Sequence, residues 1–404
     1  MILHLDKLNE TLPQRSLFEQ EVFFKKDLTE EDYTRVSGEF WTAKQRQASS
    51  LHEIAYRACF KAQLPNFFIT KLTKTNDTVY DPFSGRGTTV IEAALNGRNV
   101  IANDINPISR ILTEGRLKIP TIQEIKERLQ SIPIKKNLTS DINLSMFYES
   151  ETLSEILSLK NYFLNRENSL DAIDNWLRMV STNRLTGHST GYFSVYTLPP
   201  NQAVSPERQI KINSKYNQSP SYRNTKELIY KKSKNLLKDL SANQIKNINQ
   251  VSALFLSKDA RQTSEIEDES VNLTVTSPPF LDVVQYAQDN WLRCWFNGID
   301  ANKYQEKITM AKTVEAWSKI MSDVFKELYR ITKKEGWVAF EVGEVKGGKI
   351  NLEDYVIPIG LENNFACDCV MINEQTFTKT ANIWGISNNS KGTNSNRIVV
   401  FQKK

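Results

Sequence analysis

The sequence predicts an α/β fold: a doubly wound, mostly parallel sheet whose two halves are separated by a long polar insertion. Three observations predict it. Residues 78–104 spell strand, tight turn, helix, strand; residues 271–276, 337–342 and 397–401 are further apolar strand runs; and residues 181–250 break the rhythm with polar, basic and turn-forming residues.

The first strand is Thr78-Val-Tyr-Asp-Pro-Phe83, which stops at Pro82. Thr89-x-x-Glu92 has the pattern of a capping box ahead of the apolar Val90, Ile91, Ala94 and Leu95, and Gly97 is a fitting C-terminal stop. Asn99-Val-Ile-Ala-Asn-Asp104 is a second buried strand ending in a carboxylate. In the other half, Val271, Leu273 and Val275 alternate up to Thr276. Val314, Trp317, Met321, Val324, Phe325, Leu328 and Ile331 then recur at three- and four-residue steps, the apolar face of a long helix ending before Gly336. Trp337–Val342 and Arg397–Phe401 complete the strands.

Composition bounds the function. The 404 residues carry 52 Lys and Arg against 47 Asp and Glu, a net charge of +5 that excludes a polybasic tail protein. With 40% apolar residues the chain can bury a sizeable core. No apolar run reaches the roughly 18 to 20 residues of a membrane span, and Asp6 and Glu10 lie where a signal peptide is basic then apolar, so a soluble cytoplasmic protein is expected. Cys59, Cys294, Cys367 and Cys369 are too scattered to staple such a chain. His4, His52 and His188 lie far apart, and no metal is expected.

The charge is unevenly spread. Residues 181–250 hold eleven Lys and Arg against three acids, so this region carries +8 and the remainder −3. Tyr192, Phe193, Tyr196, Tyr216 and Tyr222 are interleaved with the bases. That combination suits phosphate contact with base stacking; taken alone, a solvated lysine-rich surface with a helix at 224–239 is the stronger reading.

Two stretches carry chemistry. In Asp81-Pro-Phe-Ser-Gly85-Arg-Gly87-Thr88-Thr89 the glycines permit a sharp turn and close approach to a ligand, and the following helix offers free N–H groups to an anion. Asp104 ends the next strand 23 residues after Asp81, near the spacing at which a carboxylate accepts from ribose hydroxyls. A nucleoside cofactor site follows, nicotinamide binding being one alternative; the third glycine of the dinucleotide fingerprint is replaced by Val90, and no Gly-Lys-Ser/Thr of a P-loop follows. The second stretch, Thr276-Ser277-Pro278-Pro279-Phe280, ends a strand on the same edge of a parallel sheet. Its prolines fix the backbone, so carbonyls and the Ser277 hydroxyl can grip an amino group, while Phe280 offers a face to a planar base.

Together these stretches resemble the S-adenosylmethionine-dependent DNA methyltransferases that modify exocyclic amines. Serine at the first position of Ser-Pro-Pro-Phe is similar to their cytosine-N4 branch, where adenine-N6 members more often carry Asp or Asn. The resemblance extends to Phe60-Lys-Ala-Gln-Leu64-Pro65, to Lys258-Asp259-Ala260-Arg261 and to Asn396–Phe401. It implies a Rossmann-like class I methyltransferase fold with an inserted target-recognition region. It also implies that Asp81, Phe83, Gly85 and Gly87 hold the methionine part of S-adenosyl-L-methionine, with the segment of Phe60, Leu64 and Pro65 packed against that end, that Asp104 holds the ribose and Asp259 the adenine, and that Thr88 and Ile105 also bind the cofactor. Ser277, Pro278, Pro279 and Phe280 would form the catalytic loop. Arg86 departs from the small residue often found between the glycines, so its side chain is expected to point away from the cofactor.

The expected organisation is an N-terminal extension (1–50), a cofactor-binding half (51–135), an inserted helical and basic region (136–250) and a target-base half (251–404). Asn183, Arg184, His188, Asn201, Gln202, Arg208 and Gln209 are candidates for base reading, and Arg184, His188, Arg208, Lys211 and Lys215 for DNA contact. The expected partner is double-stranded DNA, with a cognate restriction endonuclease acting on the same site. Two rivals share the scaffold, an adenine-N6 methyltransferase and an RNA methyltransferase; a third, from a different class, is a catalytically idle DNA-binding module. No cysteine follows a proline, as the thiolate nucleophile of cytosine-C5 enzymes does.

Overall fold

The computed structural model describes residues 25–28, 33–38, 48–57, 59–199, 202–279, 286–305, 311–345, 350–373 and 396–404. Phe280 and Asn201, from the expected site and base-reading residues, lie outside them. Nine strands form the main sheet: β1 (Lys25–Leu28), β2 (Thr34–Gly38), β3 (Thr78–Asp81), β4 (Asn99–Asn103), β5 (Ala253–Leu256), β6 (Val271–Thr276), β7 (Thr332–Val342), β8 (Phe365–Asn373) and β9 (Asn396–Lys403). Their order is β1-β2-β8-β9-β7-β6-β3-β4-β5. Pairing is parallel from β5 across to β7 and between β2 and β8; β9 runs antiparallel to both β7 and β8, and β1 antiparallel to β2. Strand order reverses between β3 and β6, the kind of switch point at which doubly wound sheets bind ligands.

Helices cover both faces, as expected. Along β3, Val79 turns to one core and Tyr80 to the other; along β7, Ala339 opposes Val338 and Phe340. The first core receives α1 (Gln63–Leu72), α2 (Thr88–Leu95) and α3 (Pro107–Glu114). It also receives α4 (Ile122–Ser131) and the inserted helices α5 (Ser150–Asn165), α6 (Ala172–Arg184), α7 (Pro206–Tyr216), α8 (Thr225–Leu237) and α9 (Ala242–Gln250). α10 (Tyr286–Phe296) joins the same side, while α11 (Val314–Ile331) and α12 (Glu353–Glu362) pack on the other. The insertion is thus continuous with the domain core: Trp176, Leu236 and Ile248 are fully buried in the same cluster as Ile91 and Val79. The strand Thr34–Gly38, read from sequence as part of an extension, extends the sheet beside β8.

One local expectation is corrected. α2 is capped by Gly87 in the left-handed region (φ 78°), so Thr89 lies inside its first turn and forms no capping box. The Thr89 hydroxyl instead donates to the Val275 carbonyl at 3.0 Å, and the Glu92 carboxylate turns to His52 and Asn66. Gly97 does end the helix as expected, at φ 74°.

Candidate active site

The carboxyl ends of β3, β4, β6 and β7 open on one edge, and the two sequence motifs meet there. The Thr276 hydroxyl donates to Asp81 at 2.6 Å, across 195 residues of chain. Ser277 therefore follows directly on a residue bonded to the start of the glycine loop. In the register of β6 and β7, Thr276 lies opposite Phe340, which brings the next residues, Ser277 and Glu341, side by side. The Ser277 hydroxyl is hydrogen-bonded to Glu341, whose other partner is the Asn396 amide at 2.8 Å. Pro279 is fixed from behind, its carbonyl accepting the Trp317 indole N–H at 3.0 Å.

The glycine loop is built from its own hydrogen bonds. Gly87 N–H donates to the Ser84 carbonyl at 2.6 Å, and Ser84 N–H to the Asn103 carbonyl at 3.0 Å. Asp104 accepts from Gly85 N–H at 2.8 Å and from Asn106 N–H at 2.9 Å. Two of its four lone-pair positions are so used, leaving capacity for a diol. Gly85 and Gly87 both have positive φ, and the Tyr56 ring lies against Gly85. Past Gly87 the first N–H groups of α2 face the loop, a ready site for a carboxylate.

Three carboxylates at this edge are unusually basic. Burial pushes Asp81 up to about 7 despite hydrogen bonds from Thr276, Phe83 and Thr89. Burial likewise raises Asp104 to about 6 and Glu341 to about 7, against the hydrogen bonds each receives. A cationic ligand would favour their ionised forms, so the residues fit a sulfonium- and ammonium-bearing molecule.

The other expected residues are placed as follows. Leu64 and Pro65 are buried in the first turn of α1, and Phe60 packs half-buried against the same core. Phe83 packs partly buried on the opposite core, Ile105 is half-buried after Asp104, and the Thr88 hydroxyl accepts from Arg86 Nε at 3.2 Å. Arg86 points away from the crevice, as expected, toward the carbonyls of His52 and Ile54. Asp259 follows β5 at the same edge, where Asn103 brackets Lys258 by two hydrogen bonds, but its carboxylate is already held by Arg261 at 2.6 and 2.9 Å.

In the basic region, Arg208, Lys211 and Lys215 are exposed on α7 beside Tyr216, and His188 is exposed on the loop after α6. Arg184 is corrected: it is buried, with its guanidinium 3.9 Å from the centre of the Tyr192 ring, because α6 turns it inward. Asn183 and Gln209 are buried too, bonded to the carbonyls of Ala55 and Tyr196, and are not base readers in this conformation. Sequence reasoning missed Glu341 and Trp317. A single acid at the end of the apolar run Val338-Ala-Phe-Glu-Val342 was the available signal for the first; none marked the second, which reads as core.

Residues 7–112 match the family model for DNA methylase. The curated type II methyltransferase M.MjaII of Methanocaldococcus jannaschii is 30% identical over 105 residues, 24% of this chain and 20% of that protein. The chain thus matches about a fifth of the length of that relative. Among solved structures, a SAM-dependent methyltransferase of Methanosarcina mazei is 10% identical, covering 83% of this chain and 96% of the other with a TM-score of 0.31. A TehB-like SAM-dependent methyltransferase of Corynebacterium glutamicum is 7% identical, covering 84% and 87% with a TM-score of 0.31. The sheet order and its one reversed inner strand give the chain the Rossmann-like fold of class I methyltransferases. The family match spans both carboxylates of the glycine loop, Asp81 and Asp104.

A pH dependence follows from the carboxylates. A bound cation favours the ionised forms, so cofactor affinity rises as pH rises through about 6 to 7, where Asp104, Asp81 and Glu341 lose their protons. Calorimetric titration is expected to give at least about tenfold tighter binding at pH 8 than at pH 5.5, the change that one pKa unit represents. The same groups act oppositely on folding. Their folded values lie above the unfolded ones near 4, so the stability they contribute is complete below about pH 4 and lost as pH rises toward about 7.

Proposed function

We propose that this protein transfers a methyl group from S-adenosylmethionine to the N4 amine of a cytosine in double-stranded DNA, as the protective partner of a restriction endonuclease acting on the same site. The observation that carries the reading is the Thr276–Asp81 hydrogen bond, which puts Ser277 at the mouth of the glycine loop. Serine in place of an acid or amide at position 277 favours cytosine over adenine. The exposed cations Arg208, Lys211 and Lys215, with Tyr216, give α7 the charge and stacking surface that a nucleic acid requires. His188 is a further candidate contact on the neighbouring loop, and the type II methyltransferase relative supports the restriction-modification setting.

An exocyclic amine is a poor nucleophile because its lone pair is delocalised into the ring. The chain's own groups address this. By donating its one proton to Glu341, the Ser277 hydroxyl turns only lone pairs outward, so it accepts an N–H of the amine. The Pro278 carbonyl accepts the second N–H, and the nitrogen is drawn toward tetrahedral geometry with its lone pair freed. When bound, S-adenosylmethionine supplies an electrophilic methyl carbon on sulfur. The transfer would break the methyl–sulfur bond, its electron pair staying on the sulfur of the departing thioether; Ser277 would take the proton the amine then sheds and pass its own to Glu341, whose affinity near neutrality suits a transient acceptor. The target nucleotide must first leave the duplex, at a cost of a few kcal/mol. Asp81, Asp104 and the first turn of α2 hold the cofactor, and Asp259 reaches its adenine once released from Arg261.

The test is to incubate the chain with methyl-labelled cofactor and mixed duplex DNA or RNA, then digest to nucleosides. Label in N4-methylcytosine from duplex is the expected result. Label in N6-methyladenine or in RNA replaces the substrate assignment, and DNA binding without label makes the chain an idle module.

A further inference from the structure

Residues 49–54 lie between the inserted helices and the glycine loop and are hydrogen-bonded to both. On the inserted side, the Asp239 carboxylate, just past α8, accepts from Ser50 N–H at 2.8 and 3.1 Å and from the Ser50 hydroxyl at 2.7 Å. The Leu236 carbonyl lies 2.9 Å from the same hydroxyl oxygen, an alternative acceptor for its one proton. Glu53 accepts from Asn235, Lys232 and Lys238 along the same helix end. On the loop side, Arg86, the residue between the two glycines, donates to the carbonyls of His52 at 3.2 Å and Ile54 at 3.1 Å. Arg116 is wholly buried, and its guanidinium bonds the carbonyls of Leu112, Leu51 and Arg86. His52 Nε2 lies 2.6 Å from Glu92 on α2, the helix that springs from Gly87.

A buried guanidinium bonded to main-chain carbonyls is a costly way to fill space, since an apolar side chain of equal volume avoids the desolvation. What it supplies is geometry: Arg116 and Arg86 together fix the carbonyls of Leu51, His52 and Ile54 against a loop held in left-handed backbone. We propose that residues 49–54 form a strap through which the inserted region holds the glycine loop in its ligand-receiving shape, with Asp239, Arg86 and Arg116 as positioning residues. The proposal rests on the reading of the crevice as a cofactor site. It makes occupancy of the α7–α8 surface and of the crevice reciprocally coupled, because whatever shifts the end of α8 shifts the carbonyls on which the loop hangs.

The hydrogen bonds of Asp239 run to the strap, at Ser49 and Ser50, which makes it the informative position. In Asp239→Ala the strap loses its carboxylate anchor. The dissociation constant for S-adenosylmethionine is expected to rise about tenfold while kcat at saturating cofactor stays within about twofold, and Asp239→Asn, which keeps an accepting oxygen, restores the wild-type value. Hydrogen exchange measured without cofactor is expected to show the amides of residues 83–90 opening about tenfold faster in Asp239→Ala, with those of β3 and β6 unchanged. Unaltered exchange at 83–90, or loss in Asp239→Asn equal to that in Asp239→Ala, overturns the strap. Wild-type protein that binds no S-adenosylmethionine sinks the cofactor reading instead, and the exchange comparison still decides the strap. Should Asp239→Ala fail to fold, Ser50→Ala removes the hydroxyl's contacts with Asp239 and with the Leu236 carbonyl and is read the same way.

Discussion

On the proposed function, Ser277→Ala is expected to lower methyl transfer by about 100- to 1000-fold with little change in cofactor affinity, the scale on which removal of one preorganised polar group acts in a closed site. Two effects combine. The amine loses the oxygen that accepts its N–H, and Glu341 loses one of the two hydrogen bonds opposing its burial, so its carboxyl moves further above about 7 and is protonated at neutral pH. Glu341→Gln separates them: Ser277 remains, but its proton acceptor is gone. The single variant should retain cofactor binding, lose most of the rate, and lose the limb of the pH–rate profile that Glu341 supplies. Single-turnover rates across pH 5.5 to 9 measure this, and a Ser277→Ala enzyme with the wild-type rate sinks the assignment.

Gly87→Ala is expected to abolish cofactor binding in the micromolar range, whereas Gly85→Ala is expected to weaken it only moderately. Both residues have positive φ, so each substitution stores about 1–3 kcal/mol of backbone strain. Their surroundings differ. A Cβ at Gly87 meets the fully buried Thr113 at 2.5 and 2.6 Å, adding about 1–3 kcal/mol of overpacking; at Gly85 the nearest atom is in the Tyr56 ring at an ordinary 3.5 Å. Since each 1.4 kcal/mol is tenfold in affinity, the loop displaced by Gly87→Ala is expected to lose at least about 100-fold. Thr113→Ala in the same chain relieves the overpacking and leaves the strain, so titration calorimetry of the double variant should recover part of the loss. No recovery would mean that the strain at φ 78° alone carries the effect.

The helix Val314–Ile331 and the strand-turn-helix-strand of residues 78–103 were legible because one periodicity governs each: apolar steps of three and four, and short buried runs closed by Pro82 or Gly97. The pairing of the two motifs was legible because parallel strands present their carboxyl ends together. Glu341 was not, since its part depends on the register that sets it beside Ser277, and register is a property of two strands 60 residues apart in sequence. Arg184 misled for a related reason. Counting charge along residues 181–250 treats every base as solvated, but α6 turns Arg184 inward, under Tyr192, while the exposed bases lie on or beside α7, α8 and α9. The capping box at Thr89 failed because Gly87 can adopt the left-handed conformation and so begins the helix two residues earlier.

A crystal structure of the chain with S-adenosylhomocysteine tests the central claim most directly. The account predicts the thioether sulfur in the crevice between the Asp81 loop and Ser277, the ribose hydroxyls on Asp104 and the amino acid end at the first turn of α2. A ligand bound outside that crevice, with Asp81, Asp104 and Ser277 untouched, contradicts it.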